Sequence, residues 1–140
     1  LQVATAYCAI ANGGTLYRPQ IVNKIINGES KETVKVFYPQ IMRDNFIDPQ
    51  NLEIVREGMR DGVNKPYGVS SYLNNLPVSV AAKTGTAEIG LENHFNVWSS
   101  VFAPYEDPQI VLVVTVENVK GFGAVTLPVA RDVLNWYFSK

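Results

Sequence analysis

The segment Val78–Glu117, VSVAAKTGTAEIGLENHFNVWSSVFAPYEDPQIVLVVTVE, decides the fold. It holds three stretches of strand character: Val78–Ala87, Val97–Phe102 and Ile110–Glu117. The connectors carry Gly90, Glu92 and Asn93, then Pro104, Asp107 and Pro108. Links this short cannot hold a crossover helix, so the three strands are expected to form an antiparallel meander. The third is apolar without interruption from Ile110 to Val114, which predicts cover on both of its faces.

Outward from the meander, helical patterns stand on either side. Gln2–Ala11 is alanine-rich and apolar nearly all round, which predicts a largely buried helix with Cys8 as a small buried hydrophobe. Asn12-Gly13-Gly14 ends it. Arg18-Pro19 breaks the chain, and Ile21–Ile26 and Thr33–Phe37 flank Asn27-Gly28-Glu29-Ser30 as a hairpin would. Asp48-Pro49 has the form of a helix start, with Leu52, Val55, Met59 and Val63 recurring at helical spacing up to Asn64. Glu53, Arg56, Glu57 and Arg60 read as that helix's solvated face. At the far end, Thr126-Leu127-Pro128 resembles a cap, and Val129, Val133, Leu134 and Phe138 mark a last amphipathic helix. The fold class is therefore α+β, an antiparallel sheet flanked by helices, with no repeat or internal boundary.

Composition limits the function. In 140 residues, 46% are hydrophobic and 18% charged, which excludes disorder. The net charge is −1 with no basic stripe, so there is no electrostatic footprint for nucleic acid. A single cysteine excludes an internal disulfide, and a single histidine, His94, argues against a multi-histidine metal site. No apolar run reaches the roughly 20 residues of a membrane-spanning helix. The chain opens on Leu1 directly into a helical run, and any anchor or targeting segment is expected upstream.

Chemistry is concentrated in Lys83-Thr84-Gly85-Thr86: a cation, two hydroxyls and a glycine on an otherwise apolar strand. Burying such groups without partners is costly, so this stretch is expected to face a cleft. A lysine flanked by hydroxyl donors suits a carboxylate, and Gly85 leaves room for close approach. The backbone of an edge strand can also pair with an extended peptide-like ligand. Against this stands the plainer reading of a solvated strand end with a snorkelling lysine.

Several segments together resemble the C-terminal portion of the transpeptidase domain of class B penicillin-binding proteins, of the elongation-type branch. Leu1–Pro19 is similar to the helix that follows that family's Ser-x-Asn motif, and Val80–Glu88 to its Lys-Thr-Gly strand. Val97–Asn118 is similar to the next two strands, and Gly123–Phe138 to the terminal helix. The likeness is least clear from about Ile26 to Asp48.

The resemblance implies part of a serine-transpeptidase, β-lactamase-like fold, with residues 1–140 as one C-terminal segment of an incomplete domain. It implies acyl transfer on D-Ala-D-Ala stem peptides by a serine of a Ser-x-x-Lys motif, with β-lactams acylating the same serine. On this reading Lys83, Thr84, Gly85 and Thr86 are substrate-binding. Lys83 favours the substrate carboxylate, Thr84 and Thr86 hydrogen-bond it, and the Thr86 backbone N–H is one oxyanion-hole donor.

Neither Ser-x-x-Lys nor Ser-x-Asn occurs in these residues, so no catalytic nucleophile is assigned and the segment by itself is expected to be inactive. Ala82 stands where the family often has glycine, and Asn96 where it often has histidine. His94, Glu88 and Glu92 read as surface or rim residues, and Trp98, Tyr105, Trp136 and Tyr137 as packing aromatics. The implied partners are a stem peptide or β-lactam, the rest of the domain and the cell-wall elongation machinery. No metal or organic cofactor is implied. The implied location is the outer side of the cell membrane, through an upstream anchor. A non-catalytic penicillin- or carboxylate-binding receptor or scaffold, and a class D-like β-lactamase, are the alternative readings.

Overall fold

The computed structural model describes residues 1–140, and the antiparallel meander forms its centre. In chain order the elements are α1 (Gln2–Ala11), β1 (Leu16–Tyr17), β2 (Lys24–Ile26), β3 (Thr33–Val36), β4 (Ile41–Arg43), α2 (Pro49–Asn64), a 3₁₀ turn at Ser71–Leu73, β5 (Ala81–Glu88), β6 (His94–Ala103), β7 (Ile110–Lys120) and α3 (Thr126–Phe138). The fold class is α+β, as the pattern implied. β5 pairs with β6 from Ala81 opposite Phe102 to Glu88 opposite Phe95. β6 pairs with β7 from Ala103 opposite Ile110, with a register shift between Phe95 and Val97. The first strand begins later than its apolar run suggests, because Val78–Val80 lead into the sheet without pairing.

Strand alternation gives the sheet two apolar faces, and each is covered. On one face Ala82, Val101 and Ala103 pack with Val63 of α2, Leu73, and Leu127, Ala130 and Leu134 of α3. On the other, Ala81 and Phe102 pack with Ala11 of α1, Met59 of α2 and Tyr105. The central strand β6 is the most buried. The expectation that β7 is covered on both faces is only partly met. Both α1 and α3 lie against it, but it is the sheet's second edge and none of its residues is fully buried.

Asp48 caps α2 as its position predicts, accepting from the N–H groups of Gln50 at 2.9 Å and Asn51 at 3.2 Å. Other expectations need correction. α1 fully buries only Ala9 and Ala11, with four of its ten residues partly buried and four exposed, Cys8 among the exposed. In α2 the buried positions are Leu52, Met59 and Val63, with Val55 facing outward. Thr126 is not a cap but a buried helical residue whose hydroxyl finds no protein partner. α3 turns Ala130, not Val129, to the core, and Trp136 is mostly exposed rather than packed. His94 opens β6.

Residues between α1 and α2 form an arm. β1 pairs with β4, and β2 with β3 around the expected Asn27–Ser30 turn. Every residue of β2, β3 and β4 is exposed, including Ile25, Ile26, Val34, Val36, Ile41 and Met42. The accessible surface is 9384 Å², where a compact protein of this mass would expose roughly 7,000 Å². Many of the exposed large hydrophobics lie on this arm, with Leu1 and Val3 beside it at the start of the chain.

Candidate functional site

Lys83–Thr86 lies in β5, the free edge of the meander. The strand leaves the core along its length. Ala81 and Ala82 are fully packed between the two cores, and from Lys83 onward it is exposed apart from a half-buried Thr84. α2 crosses this buried start closely: a Cβ built on Gly62 would stand 3.5 Å from the Ala82 carbonyl oxygen. The four residues are thus held by a rigid root and presented on an open strand.

Alternation separates their side chains. Lys83 and Gly85 share the face that carries α1, and Thr84 and Thr86 share the face that carries α3. A single ligand group can touch Lys83 and both threonines only from the strand's open edge, where β5 has no neighbour. The Lys83 ammonium folds back on its own strand and donates to the Thr84 carbonyl at 2.5 Å. A Cβ built on Gly85 would lie 3.7 Å from Trp98 Cβ, an ordinary contact, so packing within this chain does not demand glycine there. These residues form one wall.

The serines near the sheet have other duties. Ser99, opposite Thr84, and Ser100, opposite Lys83, are buried, and the Ser99 hydroxyl has no protein partner. Ser79 donates to Glu106 and accepts from the Tyr105 N–H at 3.1 Å. That hydroxyl holds the Glu106 carboxyl below the usual carboxylate range, with Arg60 at 3.5 Å helping. Tyr105 is pushed up, first by burial and then by its hydrogen bond to Glu53 at 3.2 Å. At the hairpin beyond β5, His94 Nδ1 lies 2.8 Å from the Glu92 carbonyl oxygen, and Glu88 and Glu92 are exposed on the rim.

Arg56 is the residue that the sequence reading misplaced. It is not on a solvated face; its side chain is 12% exposed. Its guanidinium donates to the carbonyls of Ile10 at 3.1 Å, Ala11, and Tyr105 at 2.8 Å. It also lies against the rings of Phe102 and Tyr105, 5.1 and 5.2 Å from their centroids. It therefore ties the C-terminal end of α1 and the β6–β7 connection to α2. A signal was present: residues 52, 56, 59 and 63 repeat at helical spacing, which puts Arg56 on the buried face of α2.

Comparison with known proteins places this arrangement. Residues 1–135 match the family model described as penicillin binding protein transpeptidase domain. Stage V sporulation protein D of Bacillus subtilis is 32% identical over 143 residues, covering 96% of this chain and 22% of that protein. Peptidoglycan D,D-transpeptidase MrdA of Haemophilus influenzae is 30% identical, covering 100% of this chain and 24% of that protein. The solved structure of penicillin-binding protein 2B from Streptococcus pneumoniae superposes with a TM-score of 0.84 at 28% identity, over 99% of this chain and 24% of that one. Penicillin-binding protein A of M. tuberculosis, solved as an imipenem acyl-enzyme complex, gives 0.80 at 28% identity, over 96% of this chain and 29% of that one. The chain thus spans about a quarter of the length of the relatives it matches. Its fold is that of the serine-transpeptidase, β-lactamase-like domains, and the chain belongs to the penicillin-binding protein transpeptidase domain family.

Proposed function

We propose that this chain is the C-terminal segment of the transpeptidase domain of a peptidoglycan D,D-transpeptidase, and that β5 is its substrate-binding edge. The observation that carries the reading is the placement of Lys83, Thr84, Gly85 and Thr86 on an open edge strand rooted in the core at Ala81 and Ala82. A D-Ala-D-Ala stem peptide or a β-lactam lies along that edge. Its carboxylate meets the Thr84 and Thr86 hydroxyls and the Lys83 charge, and Gly85 admits the ligand backbone. The Thr86 N–H contributes one donor to the oxyanion of the tetrahedral intermediate, worth about 3–4 kcal/mol when fixed in a dry site. The serine that attacks the penultimate D-Ala carbonyl, and its base, are supplied from outside these residues, since neither Ser-x-x-Lys nor Ser-x-Asn is present.

The exposed apolar side chains of Leu1, Val3 and the arm, and the free edge of β7, fit a remainder of the domain packed against this segment. The reading places the working protein at the outer side of the cell membrane, among the cell-wall elongation machinery. No helix of this chain is long and apolar enough to cross a membrane.

Intact mass spectrometry after incubation with a penicillin tests the proposal. The chain of 140 residues should take up no stoichiometric adduct, whereas the full-length gene product should take up one. Lys83→Ala or Thr86→Val in the full-length protein should slow acylation at least about tenfold, the loss of one charged or polar contact to the ligand. A full-length protein that stays unmodified would overturn the transpeptidase reading. A one-to-one adduct on the 140-residue chain would overturn the external-nucleophile assignment and direct attention to Ser79, Ser99 and Ser100.

A further inference from the structure

We propose that Arg56 is a positioning residue for the substrate edge, fixing the wall of the site on the Lys83 side. The proposal rests on the reading of β5 given above. α1 ends with the Ile10 and Ala11 carbonyls unpaired within the helix, as every helix terminus does. Arg56 satisfies both from α2, and its third donor binds the Tyr105 carbonyl beyond the end of β6. One guanidinium therefore joins three separate pieces of chain.

The joint reaches the site through a short packed path. Arg56 lies on the ring of Phe102, and Phe102 stands opposite Ala81 in the sheet. Ala81, Phe102, Ala11, Met59 and Tyr105 form one core, and Ala81 shares its strand face with Lys83, two residues on. The same face passes from cover to opening here: Ser100 is buried and its cross-strand partner Lys83 is exposed. On this face α1 lies over β6 and β7, and α2, which carries Arg56, is the helix that lies against β5 itself. Nothing else donates a side-chain hydrogen bond to the last carbonyls of α1; Arg60 of α2 lies over the Tyr105 ring, 4.6 Å from its centroid, and pairs with Glu106 instead.

Only a planar, multiply donating group can make these three bonds, so lysine should not replace it. The test uses the full-length gene product and a fluorescent penicillin, with Arg56→Ala, Arg56→Lys and Leu134→Ala. Leu134 lies in the core on the opposite face, so its variant is destabilised without disturbing α1. All are measured at a temperature where circular dichroism reports each fully folded. We expect both Arg56 variants to lower the acylation rate constant at saturating drug about ten- to a hundredfold, the size of effect that displacement of a site wall produces. The half-saturating concentration should change little, and Leu134→Ala, which loosens the Ala82 side of the root and leaves the Arg56 joint intact, should slow acylation far less than either Arg56 variant. Normal acylation by Arg56→Ala, full rescue by Arg56→Lys, or equal slowing by Leu134→Ala would each overturn the proposal while leaving the transpeptidase reading intact. An unsubstituted protein that takes up no penicillin would remove both.

Discussion

Two glycines on or just beyond α2 should respond to the same substitution with opposite signs. A Cβ built on Gly68 would lie 2.3 Å from the Gly62 carbonyl oxygen, 2.7 Å from its carbon and 3.0 Å from the Asp61 oxygen. Non-bonded contact of this kind begins at roughly 3.5 Å, so an added methyl requires a retreat of about 1 Å. The neighbours are backbone, and they are already committed. The Gly62 oxygen accepts from the buried Ser70 N–H at 2.9 Å, and Gly68 itself donates to Lys65 at 2.9 Å. Backbone displacement of this sort costs about 1–3 kcal/mol, and a strained or lost Ser70 bond adds about 1–3 kcal/mol. Gly68→Ala should therefore lose about 3 kcal/mol, or about 10 °C in Tm for a chain of this size. Gly58 is exposed in mid-helix with nothing within 4 Å of its built Cβ. Gly58→Ala should gain about 0.5–1 kcal/mol from helix propensity. Urea unfolding followed by circular dichroism measures both. A Gly68→Ala loss below about 1 kcal/mol, the range of an ordinary surface change, would refute the close-approach argument.

Three further outcomes are expected. Leu134→Ala, at a fully buried position between α3 and the sheet, should cost about 3 kcal/mol in the same assay, whereas Val129→Ala on the outer side should cost well under about 1 kcal/mol. Ser79→Ala should return the Glu106 carboxyl toward the ordinary carboxylate range, read by NMR titration. Because its folded value is depressed, the stability it contributes is present above the ordinary carboxylate pKa and disappears as pH falls through the folded value, so the variant should lose part of its acid dependence. Cys8 is exposed but lines a cleft with Tyr17, Ile110 and Val111, and desolvation pushes its thiol up. At neutral pH it should react with a disulfide reagent more slowly than a free cysteine, because only the thiolate attacks. Reaction as fast as free cysteine would contradict that environment.

Much of this architecture was legible because local signals and tertiary packing agree. The meander follows from three apolar runs with links too short for a crossover, and α2 begins where Asp48-Pro49 says it should. Lys83–Thr86 stood out because polar groups interrupt an apolar strand, and they lie where that strand leaves the core. The departures share a cause: residue type and environment disagree. Arg56 is charged and so reads as solvated, but its spacing from Leu52 and Met59 puts it on the buried side, where the end of α1 supplies the acceptors. Cys8 and most of α1 are apolar and so read as buried, but what covers a helix depends on chain far away in sequence. Alternation could have shown that Lys83 and the two threonines point to opposite faces. Only the strand order shows that their common side is an open edge.

The arm between α1 and α2 has a consequence for how the molecule comes apart. Its paired strands touch one another, and only β1 reaches a helix of the body. With no face of β2 or β3 against either core, opening the arm exposes little that is not already exposed, so it need not await global unfolding. The arm should behave as a separate cooperative unit of low opening free energy. Its amides should exchange with solvent well before those of β6, and a protease should nick it first, near the Asn27–Lys31 turn. The two halves would stay together through α1, α2 and the sheet, held at the joint by the guanidinium of Arg56.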